Sequence, residues 1–244
     1  MHRFHAPDLN SLVLPPDESH HAVSVLRLGT GDALTVFDGR GREARAQITE
    51  AAKDAVRFRI LSRHDSPAPA FTLRLVQAIP KGKAMDLILQ KTTELGARSI
   101  HPILSDRSIV RVDGAEDAAA KAGKWSQTVL EACKQCGQNH LPEVHPPLAV
   151  PAFLEAQRAW GGLKIIASLQ PEARPLRQLI QEARSAGAYR EATLVIGPEG
   201  DFTPAEIGAF RGAGYLPASL GPTILRTETA AIFTAGILLY EAQA

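Results

Sequence analysis

The chain has 244 residues, enough for one large domain or two modest ones. It is 45% apolar and 22% charged, with 27 basic residues against 26 acidic, which excludes a disordered chain and leaves any nucleic-acid binding to a local patch. No apolar run approaches the ~20 residues of a membrane span, MHRFHAPDLN lacks the apolar core of a secretion signal, and two cysteines make no disulfide framework, so a cytoplasmic protein without membrane attachment is expected.

DESHHAVSVLRL, residues 17–28, has the pattern of a short helix. Residues 33–37, ALTVF, followed by Asp38-Gly39, predict a strand and a turn. Strands follow over 44–48 and 55–61, the latter alternating Val56, Phe58 and Ile60 with Arg57 and Arg59. A β-rich first domain over 1–66, built as a small barrel, is expected. Ser66-Pro67-Ala68-Pro69-Ala70 is an extended linker by composition. Beyond it the pattern becomes alternating. Strands are predicted over 71–79, 99–104, 163–169, 193–196 and 216–220. Helices are predicted over 84–95, 116–136, 175–186, 204–213 and 227–242. That order implies an α/β domain over 71–244 with a mostly parallel sheet covered by helices.

Two strand ends share a signature. Residues 194–207, LVIGPEGDFTPAEI, run from a buried strand through Gly197-Pro198 into a helix, and SLGPTILRTETAAI repeats the form at Gly221-Pro222. Neither corner carries G-x-G-x-x-G or Gly-Lys-Ser/Thr, and Glu199 would repel a phosphate. Ligands of open parallel sheets bind outside the carboxyl ends of strands. Backbone groups brought close by glycine suit a purine edge, and Ile196, Leu220, Ile224 and Leu225 could sandwich a flat ring. Part of both corners has a purely structural reading. Thr203-Pro204-Ala205-Glu206 is a capping box with proline at the first helical position. Thr227 can cap the last helix, and Glu228 can complement its dipole.

These same residues, IGPEGDFTPAEI with SLGPTILRTETAAI, closely resemble the SPOUT methyltransferases, in particular the RsmE-like family that methylates uridine N3 in small-subunit (16S) ribosomal RNA. QAIPKGKAMDLILQKTTELG with HPILSDRS resembles the start of that catalytic domain, EACKQCGQNHLPEVHPP its middle, and HHAVSVLRLGTGDALTVFDG its PUA-like RNA-binding barrel. The blocks match in order over nearly the whole chain. Asp201 stands where that family more often has Gly, Thr223 and Gln138 where it often has Arg.

The resemblance implies S-adenosyl-L-methionine as methyl donor, a deep trefoil knot in the catalytic domain, a homodimer, and no metal. Its partner is small-subunit ribosomal RNA or the assembled small subunit. The implied cofactor site has three loops: Leu169 and Gln170; Ile196, Gly197, Pro198, Glu199 and Gly200; and Leu220, Gly221, Ile224, Leu225, Arg226 and Thr227. Arg226 is the candidate stabiliser of a uridine anion, with Glu199 and Glu228 as candidate bases. Arg3, Arg27, Arg40, Arg42, Lys81 and Lys83 are candidate RNA contacts, and Arg45 is a further cation of the same domain. Cys133-Lys134-Gln135-Cys136, near His140 and His145, has the wrong spacing for a zinc finger and falls at the end of a helical stretch instead of opening one.

Overall fold

The computed structural model describes residues 1–243 and divides into two compact units. The first comprises Met1–Pro69 with Leu130–Leu141, the second Ala70–Val129 with Pro142–Ala244.

In the first unit, β1 (Arg3–His5), β2 (Ala33–Phe37), β3 (Arg42–Ala51) and β4 (Val56–Asp65) form one sheet in that order. β1 runs parallel to β2, and the other neighbours are antiparallel. The period-2 pattern does what the sequence implies: Val56 and Phe58 are buried and Arg57 and Arg59 exposed. They join Phe4, Leu34, Val36, Ala44, Ala46 and Ile48 in one core. The expected helix over 17–28 is shorter. α1 (Pro16–His20) passes into one π turn over His21–Val25, and the chain leaves through Arg27 at φ +57. Buried Ser19 holds α1 to the sheet. Its hydroxyl donates to the Leu14 carbonyl at 3.1 Å and accepts the Val56 N–H at 2.9 Å.

The segment 130–141 belongs to the first unit, where the linear reading left it in the second. Side chains far away in sequence hold it. Lys134 pairs with Glu18 at 3.1 Å, and Asn139 donates to the Ser66 hydroxyl at 2.9 Å. Arg3 donates to the Gln138 carbonyl at 3.1 Å and to Asn139 Oδ1 at 2.7 Å, and its head also contacts Glu43 and lies over the Phe37 ring. None of these long-range pairs leaves a mark in local periodicity.

The second unit is an all-parallel sheet. β5 (Thr72–Ala78), β6 (Ser99–Leu104), β9 (Leu163–Ala167), β11 (Glu191–Ile196) and β12 (Leu216–Ser219) form its body. The short β7 (Glu143–Val144), β8 (Leu148–Ala149) and β10 (Arg174–Pro175) extend its edges. The order is β10-β12-β9-β11-β5-β6-β7, with β8 also on β6. Strands buried on both faces read as nearly continuous apolar runs, as Ala192–Ile196 do with Thr193 the one polar member. The helices are α2 (Ala84–Leu95), α3 (Gly114–Cys136), α4 (Val150–Ala156), α5 (Leu176–Ser185), α6 (Pro204–Gly212) and α7 (Thr227–Glu241). The short β1, β7, β8, β10 and α4 escaped sequence reading, because two to seven residues carry too little period to detect. One face packs Val76, Ile103, Phe153, Ile166, Val195, Phe202, Phe210 and Tyr215 together.

His101 of β6 sits at this core. Its ring stacks on His145 at 4.1 Å, meets the edge of Trp160 at 4.8 Å, and bonds Ser99 Oγ at 2.8 Å. Burial, helped by the His145 and Arg74 charges, holds it neutral with a pKa lowered to about 3. The unfolded chain then takes up a proton near pH 6.5 that the folded state refuses, so stability is complete above that pH and falls as the pH drops. His101→Phe should remove about 2 kcal/mol from the stability lost between pH 7 and pH 5. Urea titrations of both proteins at the two pH values check this. An acid loss of equal size in both would refute it.

Candidate functional site

The strands that end in the Gly-Pro corners are not neighbours, since β9 lies between β11 and β12. The three strands are parallel, so the loops that follow them leave from the same sheet edge, with the loop at 168–173 between the two corners. Two of the loops are shaped by a serine at the strand end. Ser168 Oγ accepts the Gln170 N–H at 3.2 Å, and Ser219 Oγ accepts the Gly221 N–H at 3.5 Å. Gly221 takes φ +126, a conformation L side chains rarely adopt.

The loops surround one cleft of about 940 Å³. Leu169, Gln170, Ile196, Gly197, Pro198, Glu199, Leu220, Gly221, Ile224, Leu225, Arg226, Thr227 and Glu228 all line it, as do Lys81 and Asp201. Gly200 lies one residue outside that lining. Leu169 and Ile224 are 62% and 80% exposed, an unusual state for aliphatic side chains facing one cavity. They supply apolar faces, and the bends at both corners supply backbone donors and acceptors. This is the lining a nucleoside-like ligand requires.

The corner after β11 is tied to its surroundings at three points. Thr227 Oγ1 donates to the Gly197 carbonyl at 2.7 Å and accepts from Gln77 Nε2 at 3.2 Å. The Lys81 N–H donates to Glu199 Oε1 at 2.9 Å. Arg107 Nη1 donates to the Gly200 carbonyl at 2.9 Å. The capping box forms: Thr203 Oγ1 accepts the Glu206 N–H at 3.3 Å, and Glu206 Oε2 accepts the Thr203 N–H at 2.8 Å. Glu206 Oε1 accepts the Asp106 N–H at 2.9 Å.

Two expectations change. Thr227 does not cap α7. Arg226 holds the N-cap position, without a side-chain cap bond, and Thr227 is the first helical residue with its hydroxyl turned to Gly197. Gly197 makes room for a ring of the protein itself, because a Cβ there would stand 3.3 Å from the Phe202 ring. Asp201 adopts φ +60, and its Oδ1 accepts the Phe202 N–H at 2.7 Å, the local bond that lets Asp occupy the left-handed region.

The candidate RNA contacts fall into separate groups. Arg3 is half-buried and engaged internally, which makes it structural. Arg42 bonds Asp38 Oδ2 at 2.6 Å, while Arg27 and Arg40 are exposed in the first unit, as is Arg45. Lys81 and Lys83 are exposed on the loop between β5 and α2 in the second unit. Gln138 offers its carbonyl to Arg3 and its side chain to the His140 N–H. Among the described residues no group of three or more His, Cys, Asp or Glu could hold a metal ion. Cys133 is buried and its thiol pushed up to about 12, and His140 Nε2 bonds the Pro67 carbonyl at 2.9 Å. Sequence reasoning missed Gln77 and Arg107. The first was legible as a lone amide inside FTLRLVQAI; the second meets its partner across 93 positions and left no signal.

Comparison with known proteins follows the same division. A family model described as RNA methyltransferase domain matches residues 66–239, and one described as RNA methyltransferase PUA domain matches 14–61. Ribosomal RNA small subunit methyltransferase E of Mycobacterium tuberculosis (strain CDC 1551 / Oshkosh) is 32% identical over 232 residues, spanning 94% of this chain and 87% of that one. The structure of a Legionella pneumophila methyltransferase in complex with bound SAM superposes with TM-score 0.85 at 34% identity, covering 97% of this chain and 96% of the other. Ribosomal RNA small subunit methyltransferase E of Neisseria gonorrhoeae, bound to S-adenosyl methionine, gives TM-score 0.83 at 32% identity, with coverage of 98% and 96%.

Thr227→Val removes the hydroxyl, which takes the donor from the Gly197 carbonyl and one of two acceptors from Gln77 Nε2, the other being the Ala78 carbonyl. A loss of about 1–3 kcal/mol in urea unfolding is expected, with most of it recovered in Thr227→Ser. Equal stability of Thr227→Val and the parent would show that the bond to Gly197 contributes nothing.

Proposed function

The chain belongs to the RNA methyltransferase family that includes ribosomal RNA small subunit methyltransferase E, and from that membership we propose that it transfers a methyl group from S-adenosyl-L-methionine to N3 of a specific uridine in 16S ribosomal RNA. The observation that carries this reading is the convergence of three loops on one cleft that holds both apolar faces and the Arg226–Glu228 pair. The residues fit the cofactor: Leu169 and Ile224 line the cleft with exposed apolar faces that would hold a flat ring, and the corner backbones would offer polar groups to its edge. S-adenosyl-L-methionine, when bound, would supply a sulfonium methyl group that a nitrogen nucleophile attacks, with S-adenosylhomocysteine as the leaving group.

This chain must prepare that nucleophile. Uridine N3 carries a proton and is a poor nucleophile until the proton leaves. Arg226 is exposed on the cleft and can donate to the carbonyl oxygens beside N3, where the negative charge collects. Glu199 already accepts the Lys81 N–H, so its role is to hold the corner. Glu228 lines the cleft with no hydrogen bond or ion pair among the described residues, and it takes the proton. Positioning of the two reactants supplies much of the remaining rate.

The first unit grips the RNA through Arg27, Arg40 and Arg42, and Lys81 and Lys83 add cations beside the cleft. The protein works in the cytoplasm on ribosomal RNA or on the assembled small subunit. No helix among the described residues is long and apolar enough to cross a membrane. α7 leaves β12 on one side of β9 and packs against α2, β5 and β11 on the other. Membership of the family supports a trefoil knot in this unit. α7 also carries Phe233 and Tyr240, 46% and 74% exposed, along a groove of about 710 Å³ shared with α5 and Leu95. A second copy covering this face gives a homodimer.

Methyl-labelled cofactor and small subunits lacking the modification should yield labelled 3-methyluridine on nucleoside mapping. Label in any other nucleoside would sink the assignment. Arg226→Ala should lower the rate at saturating RNA by about 10²–10³. A normal saturating rate with weakened RNA affinity would make Arg226 a phosphate clamp. Sedimentation should give twice the 26.2 kDa chain mass, and Phe233→Glu should shift it to monomer.

A further inference from the structure

The cofactor corner is anchored to a loop that the reaction as described does not use. Residues 105–113 join β6 to α3 at the carboxyl edge of the sheet. The inner half of this loop is bonded to the corner. Arg107 Nη1 donates to the Gly200 carbonyl at 2.9 Å and approaches that of Phe202 at 3.5 Å. The Asp106 N–H donates to Glu206, the carboxylate that caps α6. The Ser105 and Ser108 hydroxyls meet at 3.2 Å and close the turn.

The outer half is free. Ile109 is 65% exposed, and Arg111 is exposed with no hydrogen bond or ion pair among the described residues. An anchored loop ending in an aliphatic tip and an unpaired guanidinium fits unpaired RNA. The tip packs on a base or sugar, and the guanidinium takes a phosphate. Resting on the methyltransferase reading above, we propose that residues 109–111 contact the RNA strand at the target and that Arg107 transmits this contact to the cofactor corner. Arg107 is then a positioning residue, acting through the carbonyls of Gly200 and Phe202 and touching no reacting atom. RNA that holds the outer half restrains the inner half, and through Arg107 it restrains the corner. A ligand that needs the corner ordered then binds more tightly, with no change of shape.

Such coupling is reciprocal, which makes it measurable. Calorimetry with S-adenosylhomocysteine, which cannot donate a methyl group, is run with and without unmodified 16S ribosomal RNA transcribed in vitro. The reverse titration follows. In the parent protein each ligand should tighten the other by the same factor, about 5-fold or more. Arg107→Gln should bring the factor close to one while both ligands still bind separately. Arg111→Ala should weaken RNA binding and lower its salt slope by about one, with unchanged affinity for S-adenosylhomocysteine alone. A factor of one in the parent, a factor that survives Arg107→Gln, or unaltered RNA binding in Arg111→Ala would each overturn the proposal. Failure of the parent to bind either ligand alone would instead overturn the methyltransferase reading, and this proposal with it.

Discussion

The site depends on the restraint of one corner, residues 197–206. A loop at a strand's carboxyl end is not rigid by itself, because its backbone has lost the ladder that orders the strand. Here three other loops supply the missing bonds. Thr227 from the start of α7 holds the Gly197 carbonyl, the Lys81 amide holds Glu199, and the segment after β6 holds both Gly200 and Glu206. Every one of these partners lies 90 or more residues away except Thr227, which lies 30 away. Ordering the corner therefore requires the whole parallel sheet to be in place, and the cleft is a product of tertiary structure.

The restraint also accounts for the local oddities of the corner. Gly197 is small because Phe202 folds back over it, and Phe202 is buried because it belongs to the core beneath. To turn from β11 into α6 within so few residues the chain passes through φ +60 at Asp201, and the side chain offsets the cost by capturing the next amide. A glycine would reach the same conformation without that bond. Asp201 and glycine are thus two solutions to one backbone requirement.

How much of this could be read from the chain depends on the range of the interaction. α2 and β6 fall at the bounds their periodicity predicts, and the capping box at Thr203–Glu206 forms as written, because those signals are local. Both Gly-Pro corners line one cleft, since strand-to-helix corners of a parallel sheet share an edge. The errors were of one kind. Thr227 was given a local task, capping, when its hydroxyl serves a residue 30 positions earlier. Arg3 was given to RNA, and its guanidinium donates to Gln138 and Asn139. The segment 130–141 was kept with the helix it continues, when Glu18, Ser66 and Arg3 draw it to the first unit. A polar side chain's sequence neighbours report its propensity, and only the fold reports its partner.

This distinction bears on how the chemistry is divided. The polar groups that build the cleft are largely engaged with one another. Glu199 accepts an amide, Glu206 caps a helix, and Thr227 and Gln77 bond inward. Engaged groups hold shape well but move protons poorly, since each transfer would break a structural bond. Arg226 and Glu228 differ in lining the same cleft without such commitments among the described residues. They stand two positions apart at the N-terminal end of α7, the element that Thr227, between them, fastens to the corner. The free groups are therefore mounted on either side of a fixed one. In the reaction proposed above, a guanidinium and a carboxylate held in that way would meet the two needs of an N3 nucleophile, charge stabilisation and proton removal, without loosening the site that positions it.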